Sequence, residues 1–151
     1  MPPLLKNTNK NTRNIMKRKT QIEYPLNPSS SVIIWNAISS TAGLERWFAD
    51  RVTKEGKTYT FRWGKTETRQ AIVVNSRPEF FIRFHWLDDE EAKSYFELKI
   101  HYNELTTDHT LEVTDFAEPG EEEDVRNLWD SQIETLKRVF GAVSYTHLRA
   151  H

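Results

Sequence analysis

The sequence predicts an α+β domain: an antiparallel sheet, two short helices after the first strand and one long helix near the C-terminal end. Three observations carry this. From residue 57 onward, run after run alternates apolar with polar side chains, the period of strands with one solvated face. Further on, Val125, Leu128, Trp129, Ile133, Leu136, Val139 and Phe140 fall on one arc when wound at about 100° per residue. Between the first strand and the alternating runs, "SSSVIIWNAIS" and "STAGLERWFA" each set capping residues before apolar ones, as helix starts do. Elements grouped by type in this way build an α+β layout.

In order, "KTQIEYPL" alternates and ends at a proline, as a strand closed by a turn does. The serines of "NPSSSVIIWNAIS" cap a first helix. A second short helix places Leu44, Trp47 and Phe48 on one side. "KTYTFRWG" gives Tyr59, Phe61 and Trp63 one face, with Thr60 and Arg62 on the other and Gly64 opening a turn. "TETRQAIVVNS" is a strand bounded by Pro78. "EFFIRFHWL" sets Phe80, Ile82, Phe84 and Trp86 against Phe81, Arg83, His85 and Leu87. After the charged tip "DDEEAK", "SYFELKIHY" turns Phe96, Leu98 and Ile100 inward and Glu97, Lys99 and His101 outward. "DHTLEVTDF" buries Leu111 and Val113. The closing helix opens with Glu121 to Asp124, acidic residues that complement the positive end of the helix dipole.

At 151 residues the chain fits one domain with a core of its own. Its 21 basic and 22 acidic residues nearly cancel, which leaves no excess of cations for nucleic acid and no polybasic patch for anionic lipid. With no cysteine, disulfides, thiolate nucleophiles and cysteine-based zinc sites are excluded, and a cytoplasmic location is expected. No apolar run is long enough to span a bilayer, so no stable membrane insertion is expected. Residues 1–18 are Asn-, Thr- and Lys-rich, lack the apolar stretch of a secretory signal and read as a disordered extension, with Met16 as an alternative start. The domain is placed at residues 19–141. Residues 142–151, ending "SYTHLRAH", keep no period and read as a foreign tail, so His147 and His151 carry no weight.

Three pieces are similar to a known family. "VIIWNAISSTAGLERWFAD" resembles an apolar helix with W-x-A, a small loop and then G-L-x-x-W-F. "FIRFHW" resembles a central strand, and "NLWDSQIETLKRVF" a closing helix. Together they resemble the START-like, or SRPBCC, superfamily, in the branch related to activators of a heat-shock chaperone ATPase and to small bacterial START-like proteins. The resemblance covers roughly residues 19–141. It implies a helix-grip fold, in which a curved antiparallel sheet wraps the long final helix around a cavity. That cavity holds an apolar ligand in many members and is a catalytic site in some, while other members are interaction modules.

The candidate ligand-binding residues are Trp47, Tyr59, Trp63, Phe84, Trp86, Trp129, Gln132 and Leu136. Aromatics at such spacing also fill plain cores, so Trp35, Trp47 and Phe48 read either as core or as the lid of a cavity, with Ser39 to Gly43 as its gate and Gly43 as hinge. Gln132 is more pointed. It sits near the centre of the apolar arc, where pattern alone predicts Leu, and an unpaired buried amide costs roughly 1–3 kcal/mol. It must meet a strand group, a water or a ligand. His85 and His101 lie on the outer sheet face; they read as solvated side chains, with a metal or acid–base pair as the alternative. No H-E-x-x-H occurs. The carboxylates of "DDEEAK" and "EPGEEED" lie in a turn and at a helix start and read as solvated charge, and Arg62 and Arg83 as outer-face residues. No catalytic residue, metal site or cofactor is expected.

Three functions compete. The first is a non-enzymatic binding module for a small apolar or amphipathic ligand held between sheet and helix. The second is a protein-interaction module assisting a chaperone or stress response, favoured if side chains fill the cavity. The third is a cavity enzyme of cyclase or hydrolase type, which needs inward acid–base groups on a face that reads as almost wholly apolar. The sequence leaves the oligomeric state open.

Overall fold

The structure, a computed structural model, describes residues 17–27 and 30–149. Residues 1–16, 28–29 and 150–151 lie outside the described residues, as do the side chains of 142–149; the expected extension, Met16, His147 and His151 fall there. The chain runs β1 (Arg18–Leu26), α1 (Ser31–Ser39), α2 (Thr41–Leu44), β2 (Arg51–Glu55), β3 (Thr58–Trp63), β4 (Glu67–Arg77), β5 (Phe81–Trp86), β6 (Phe96–Asn103), β7 (Asp108–Ala117) and α3 (Glu122–Arg149).

The strands form one seven-stranded sheet in the order β1-β7-β6-β5-β4-β3-β2, with every neighbouring pair antiparallel. Strands β2 to β7 are a meander, and β1 joins it at the β7 edge. Helices α1 and α2 therefore carry the chain from one sheet edge to the other. The curved sheet holds α3 against its inner face, nearest β1 and β7, which is a helix-grip arrangement. A bulge in β4 between Val73 and Asn75 leaves Val74 unpaired, and such a bulge bends its strand.

Local chemistry explains the starts and turns. Ser30 caps α1 by accepting from the Ile33 N–H, and Ser40 caps α2 by accepting from the Gly43 N–H. Gly56, Gly64 and Gly120 stand at positive φ in turns. Tyr59, Phe61 and Trp63 on β3, Ile82 and Phe84 on β5, Phe96, Leu98 and Ile100 on β6, and Leu111 and Val113 on β7 are buried, as alternation predicts. On α3, Val125, Trp129, Ile133, Leu136 and Phe140 are buried, while Leu128 and Val139 flank them half-buried.

Three details differ from the expectation. Strand β2, "RVTKE", was not anticipated. It is a sheet edge with Val52 its one buried residue, and the charges that hide its period are those that keep an edge from pairing with other chains. Phe80, expected inward, is 49% exposed. Glu79 takes a φ of 69° and the Phe80 N–H donates to Arg77 O, so Phe80 belongs to the β4–β5 turn and β5 starts one residue later. Finally, β1 begins at Arg18, and the backbone of α3 continues past Gly141 to Arg149.

Candidate functional site

The helix-grip frame encloses two regions of different character. The centre is filled by rings. Phe84 stacks on Phe96 with centroids 4.8 Å apart, Tyr59 meets Phe84 edge-on at 5.1 Å, and Phe48 meets Phe61 at 5.0 Å. Phe48 also stacks on Trp129 of α3 at 5.9 Å, which closes the space between helix and sheet. The polar ends of these residues are spent inside the protein. The Trp47 indole donates to Ala37 O (2.8 Å), the Trp63 indole to Phe48 O (2.9 Å) and the Tyr59 hydroxyl to Ser39 O (2.6 Å). Burial pushes the Tyr59 hydroxyl above its ordinary pKa.

Gln132 answers the question its position raised. It is 2% exposed, and its Nε2 donates to Phe48 O at 3.3 Å. The partner is thus the turn after α2 and not a strand group. Phe48 O receives both this amide and the Trp63 indole, so the segment between α2 and β2 is tied to α3 and β3 through one carbonyl. In the Ser39–Gly43 connection, expected as a gate, the Ser39 Oγ donates back to Trp35 O and the Ser40 Oγ to Asn36 O, both on α1. Gly43 is required by close approach, since a Cβ there would run into the Asn36 carbonyl and the Ala37 backbone.

The second region is the mouth, the end of the sheet where β1 begins, β7 ends and α3 starts. Here the inner face stops being apolar. Asp115 follows Leu111 and Val113 in the inward alternation of β7. Its Oδ2 accepts from the Trp129 indole of α3 at 2.8 Å, and its Oδ1 from the Phe116 N–H at 2.7 Å. Burial pushes its carboxyl up to about 6, against the pull of those two donors and of the Lys17 and Arg69 charges. The residue still keeps a partial opening to solvent. Beside it, Arg69 lays its guanidinium over the half-buried Trp86 ring, 3.9 Å from the centroid, and grips Asp88 with two bonds of 2.9 and 2.7 Å. Lys17 pairs with Asp89 at 2.9 Å. Burial opposes ionisation of Asp89, but bonds from Lys17, the Ser94 hydroxyl and the Glu91 N–H hold its carboxyl below the ordinary range. Two ion pairs thus fasten the β5–β6 connection to the rim.

The structure divides the eight sequence-derived residues between these regions. Tyr59, Phe84, Gln132 and Leu136 lie in the filled centre. Trp47 is bound to α1. Trp63, Trp86 and Trp129 approach the mouth, with the Trp63 and Trp86 centroids 6.5 Å apart and Trp86 and Trp129 both against Phe96. The sequence reading missed Asp115, Arg69 and Lys17. Extending the alternation by one step, from Leu111 and Val113 to Asp115, finds the first. Pattern gives no signal for the other two, because their role depends on which loop lies beside them. His85 and His101 lie on the outer face, bonded to Ser94 O and to Glu112 Oε1. Arg83 is there too, paired with the buried Glu97 at 3.0 Å. Among the described residues no three His, Asp or Glu side chains converge on a metal site, and no helix is long and apolar enough to cross a membrane.

Comparison with known proteins agrees with this architecture. A family model for the START-like superfamily domain matches residues 15–142. The BfR322 protein of Bacteroides fragilis is 56% identical, with 82% of this chain and 90% of that one covered at a TM-score of 0.60. The Aha1 dimer of Colwellia psychrerythraea, 14% identical, shares the fold at a TM-score of 0.67 over 80% of this chain and 93% of its own. CalU16 of Micromonospora echinospora, 16% identical, does so at 0.62 over 82% and 74%. Among curated proteins no relative matches. A family model spanning most of the chain and a relative of majority identity establish the same point: the chain belongs to the START-like superfamily.

Proposed function

We propose that this chain is a non-enzymatic START-like binding module, working in the cytoplasm, that takes a small amphipathic molecule at the mouth of the helix grip and not in its centre. The observation that carries the reading is the change of character along the inner face. The deep positions are occupied by the protein's own rings, whereas the rim carries the half-buried Trp86 and the inward Asp115, a residue that is not fully buried. A mostly apolar wall with a few placed polar groups is what orients small ligands. Native mass spectrometry of the full chain, purified gently, tests this. A stoichiometric small molecule, retained by the wild type and lost from Trp86→Ala, is expected. Equal retention by both proteins overturns the mouth as its site.

One observation favours a protein-interaction module instead. At the opposite end, Val32 and Ile33 of α1 and Phe80 of the β4–β5 turn are each about half exposed, and the Ser31 Oγ to Glu79 Oε1 bond (3.2 Å) holds these two elements together. The filled centre points the same way. Cross-linking in cells decides: an empty protein whose partner cross-links vanish in Ile33→Asp replaces the ligand reading with this one. Asp115 also supplies the inward acid–base group that the enzyme reading needed, poised near neutrality. A single such group leaves that reading third.

A further inference from the structure

Among the described residues the aspartates at the mouth are not equally paired. Arg69 is committed to Asp88 and Lys17 to Asp89, each through bonds of 2.9 Å or shorter. Asp115 is left with two neutral donors, the Trp129 indole and the Phe116 N–H, and makes no ion pair among the described residues. Of these three aspartates, Asp115 is the one without an ion pair among the described residues, and it is the one that points inward. Rings lead away from it: the Trp129 indole edge is bonded to it, Phe96 lies 5.9 Å from Trp129, and Trp86, whose ring carries the Arg69 guanidinium, lies 5.0 Å from Phe96.

We propose that Asp115, backed by the Trp86, Phe96 and Trp129 rings, is the recognition point for a ligand carrying a protonated amine on an aromatic or apolar body. This inference rests on the mouth being the ligand site, and adds the ligand's chemical class. An ammonium group supplies a countercharge to Asp115 as a charge-assisted hydrogen bond, and the apolar body packs against the rim rings. The body of the ligand lies along the rim, where Trp86 is half-buried. The neighbouring charges do not reverse this preference. Lys17, leading into β1, and Arg69 of β4 act on Asp115 from a distance, but each is paired with an aspartate of the β5–β6 connection. On α3, Arg126 and Asp130 act on Tyr24, whose hydroxyl donates to Asp130 at 2.6 Å. Arg18 pairs with Glu122 at the start of α3. Glu118, just past β7, adds a further acidic side chain at this end.

The inference also sets a pH dependence. An ammonium ligand needs Asp115 ionised. Because burial raises its carboxyl to about 6, binding should hold at pH 7.5 and weaken by roughly ten-fold at pH 5, where about one carboxyl in ten remains ionised.

The test is a titration of the full chain with 2-phenylethylamine, and in parallel with the neutral 2-phenylethanol, followed by the indole N–H resonance of Trp129. That resonance is assigned as the one missing from Trp129→Phe. The expected result is a saturable shift with the amine at pH 7.5, at least ten-fold weaker binding of the alcohol, weaker amine binding at pH 5, and loss of the amine preference in Asp115→Asn. The wild-type pH comparison stands even if Asp115→Asn folds poorly. If amine and alcohol bind equally and neither responds to pH, the charge inference falls while the mouth remains a ligand site. If neither probe moves Trp129, both fall.

Discussion

The centre and the mouth of the grip are made from the same kinds of side chain, yet they handle polar atoms in opposite ways. In the centre the Gln132 amide reaches Phe48 O and the Tyr59 hydroxyl Ser39 O, and the adjoining Trp47 and Trp63 indoles likewise end on backbone carbonyls, of Ala37 and Phe48. At the mouth, among the described residues, a buried carboxylate makes no ion pair, and Lys17 and Arg69 are paired with other aspartates. A folded chain has reason to keep the first arrangement for stability alone. The second costs stability, and perturbed ionisable groups at a cleft are where function concentrates. The difference teaches that aromatic content by itself does not separate the two regions; what separates them is charge and not unmet hydrogen bonds, since both Asp115 oxygens are bonded.

The largest effect should come from breaking the centre. Phe48 touches Trp47, Phe61, Trp63, Phe96 and Trp129. Phe48→Ala should cost about 3–5 kcal/mol, the usual range for removing a buried ring, read by urea denaturation. A loss below 1 kcal/mol would mean that the rings do not fill the centre as described. Gly43→Ala comes next. Its new methyl meets backbone of α1 on the other side of the contact, and backbone cannot swing away as a side chain can. Overpacking of this kind costs typically 1–3 kcal/mol. A neutral result would restore Gly43 as a hinge.

Asp115 sharpens the comparison through pH. Its carboxyl is raised from an ordinary 3.8 to about 6 in the folded protein, so the folded state holds the proton more tightly than the unfolded one. Its contribution is therefore full below pH 3.8 and lost as pH rises through 6. The wild type should be more stable at pH 5 than at pH 7, by on the order of 1 kcal/mol from this group, and the gain should be absent from Asp115→Asn. Asp89 works in the opposite sense: its carboxyl is lowered, so its contribution is lost only as pH falls below the ordinary range. The two windows do not overlap, and denaturation at pH 5 and 7 isolates Asp115. An unchanged difference in Asp115→Asn would show that its carboxyl is not desolvated.

Much of this was legible in the sequence, for physical reasons that differ by element. Strands β3, β6 and β7 announce themselves because each sets an apolar face against a polar one, so a period of two survives in the residues even where Glu97 and Thr114 of the polar face are buried. Helix α3 does the same at its own period. Strand β2 did not, because an edge strand needs little burial and carries charge instead. Phe80 misled because alternation cannot see that Glu79, at positive φ, turns the chain just before it. The site was harder. Trp63, Trp86 and Trp129 could be named from type and face, but what separates mouth from centre is three-dimensional: Arg69 and Lys17 matter only because Asp88 and Asp89 fold back against them. Gln132 was singled out correctly as a polar residue on an apolar arc, but its partner, a turn carbonyl 84 residues away in sequence, could not be read from any pattern.

Gln132 also gives the smallest effect and the finest test of the contrast. Gln132→Leu removes an amide that donates at 3.3 Å to Phe48 O, while that carbonyl keeps its bond of 2.9 Å from the Trp63 indole. No acceptor is left unpaired, and a side chain of similar size takes the place of the amide. The lost hydrogen bond is worth about 1 kcal/mol and the gained apolar burial offsets part of it, so the change in stability should stay within about 1 kcal/mol. If the centre is purely structural, the variant should also bind 2-phenylethylamine as the wild type does, because Asp115 and Trp86 are untouched. A stable Gln132→Leu protein that loses the amine would move the ligand inward from the rim to the helix–sheet interior. The long bond to Phe48 O would then be the contact that a ligand displaces.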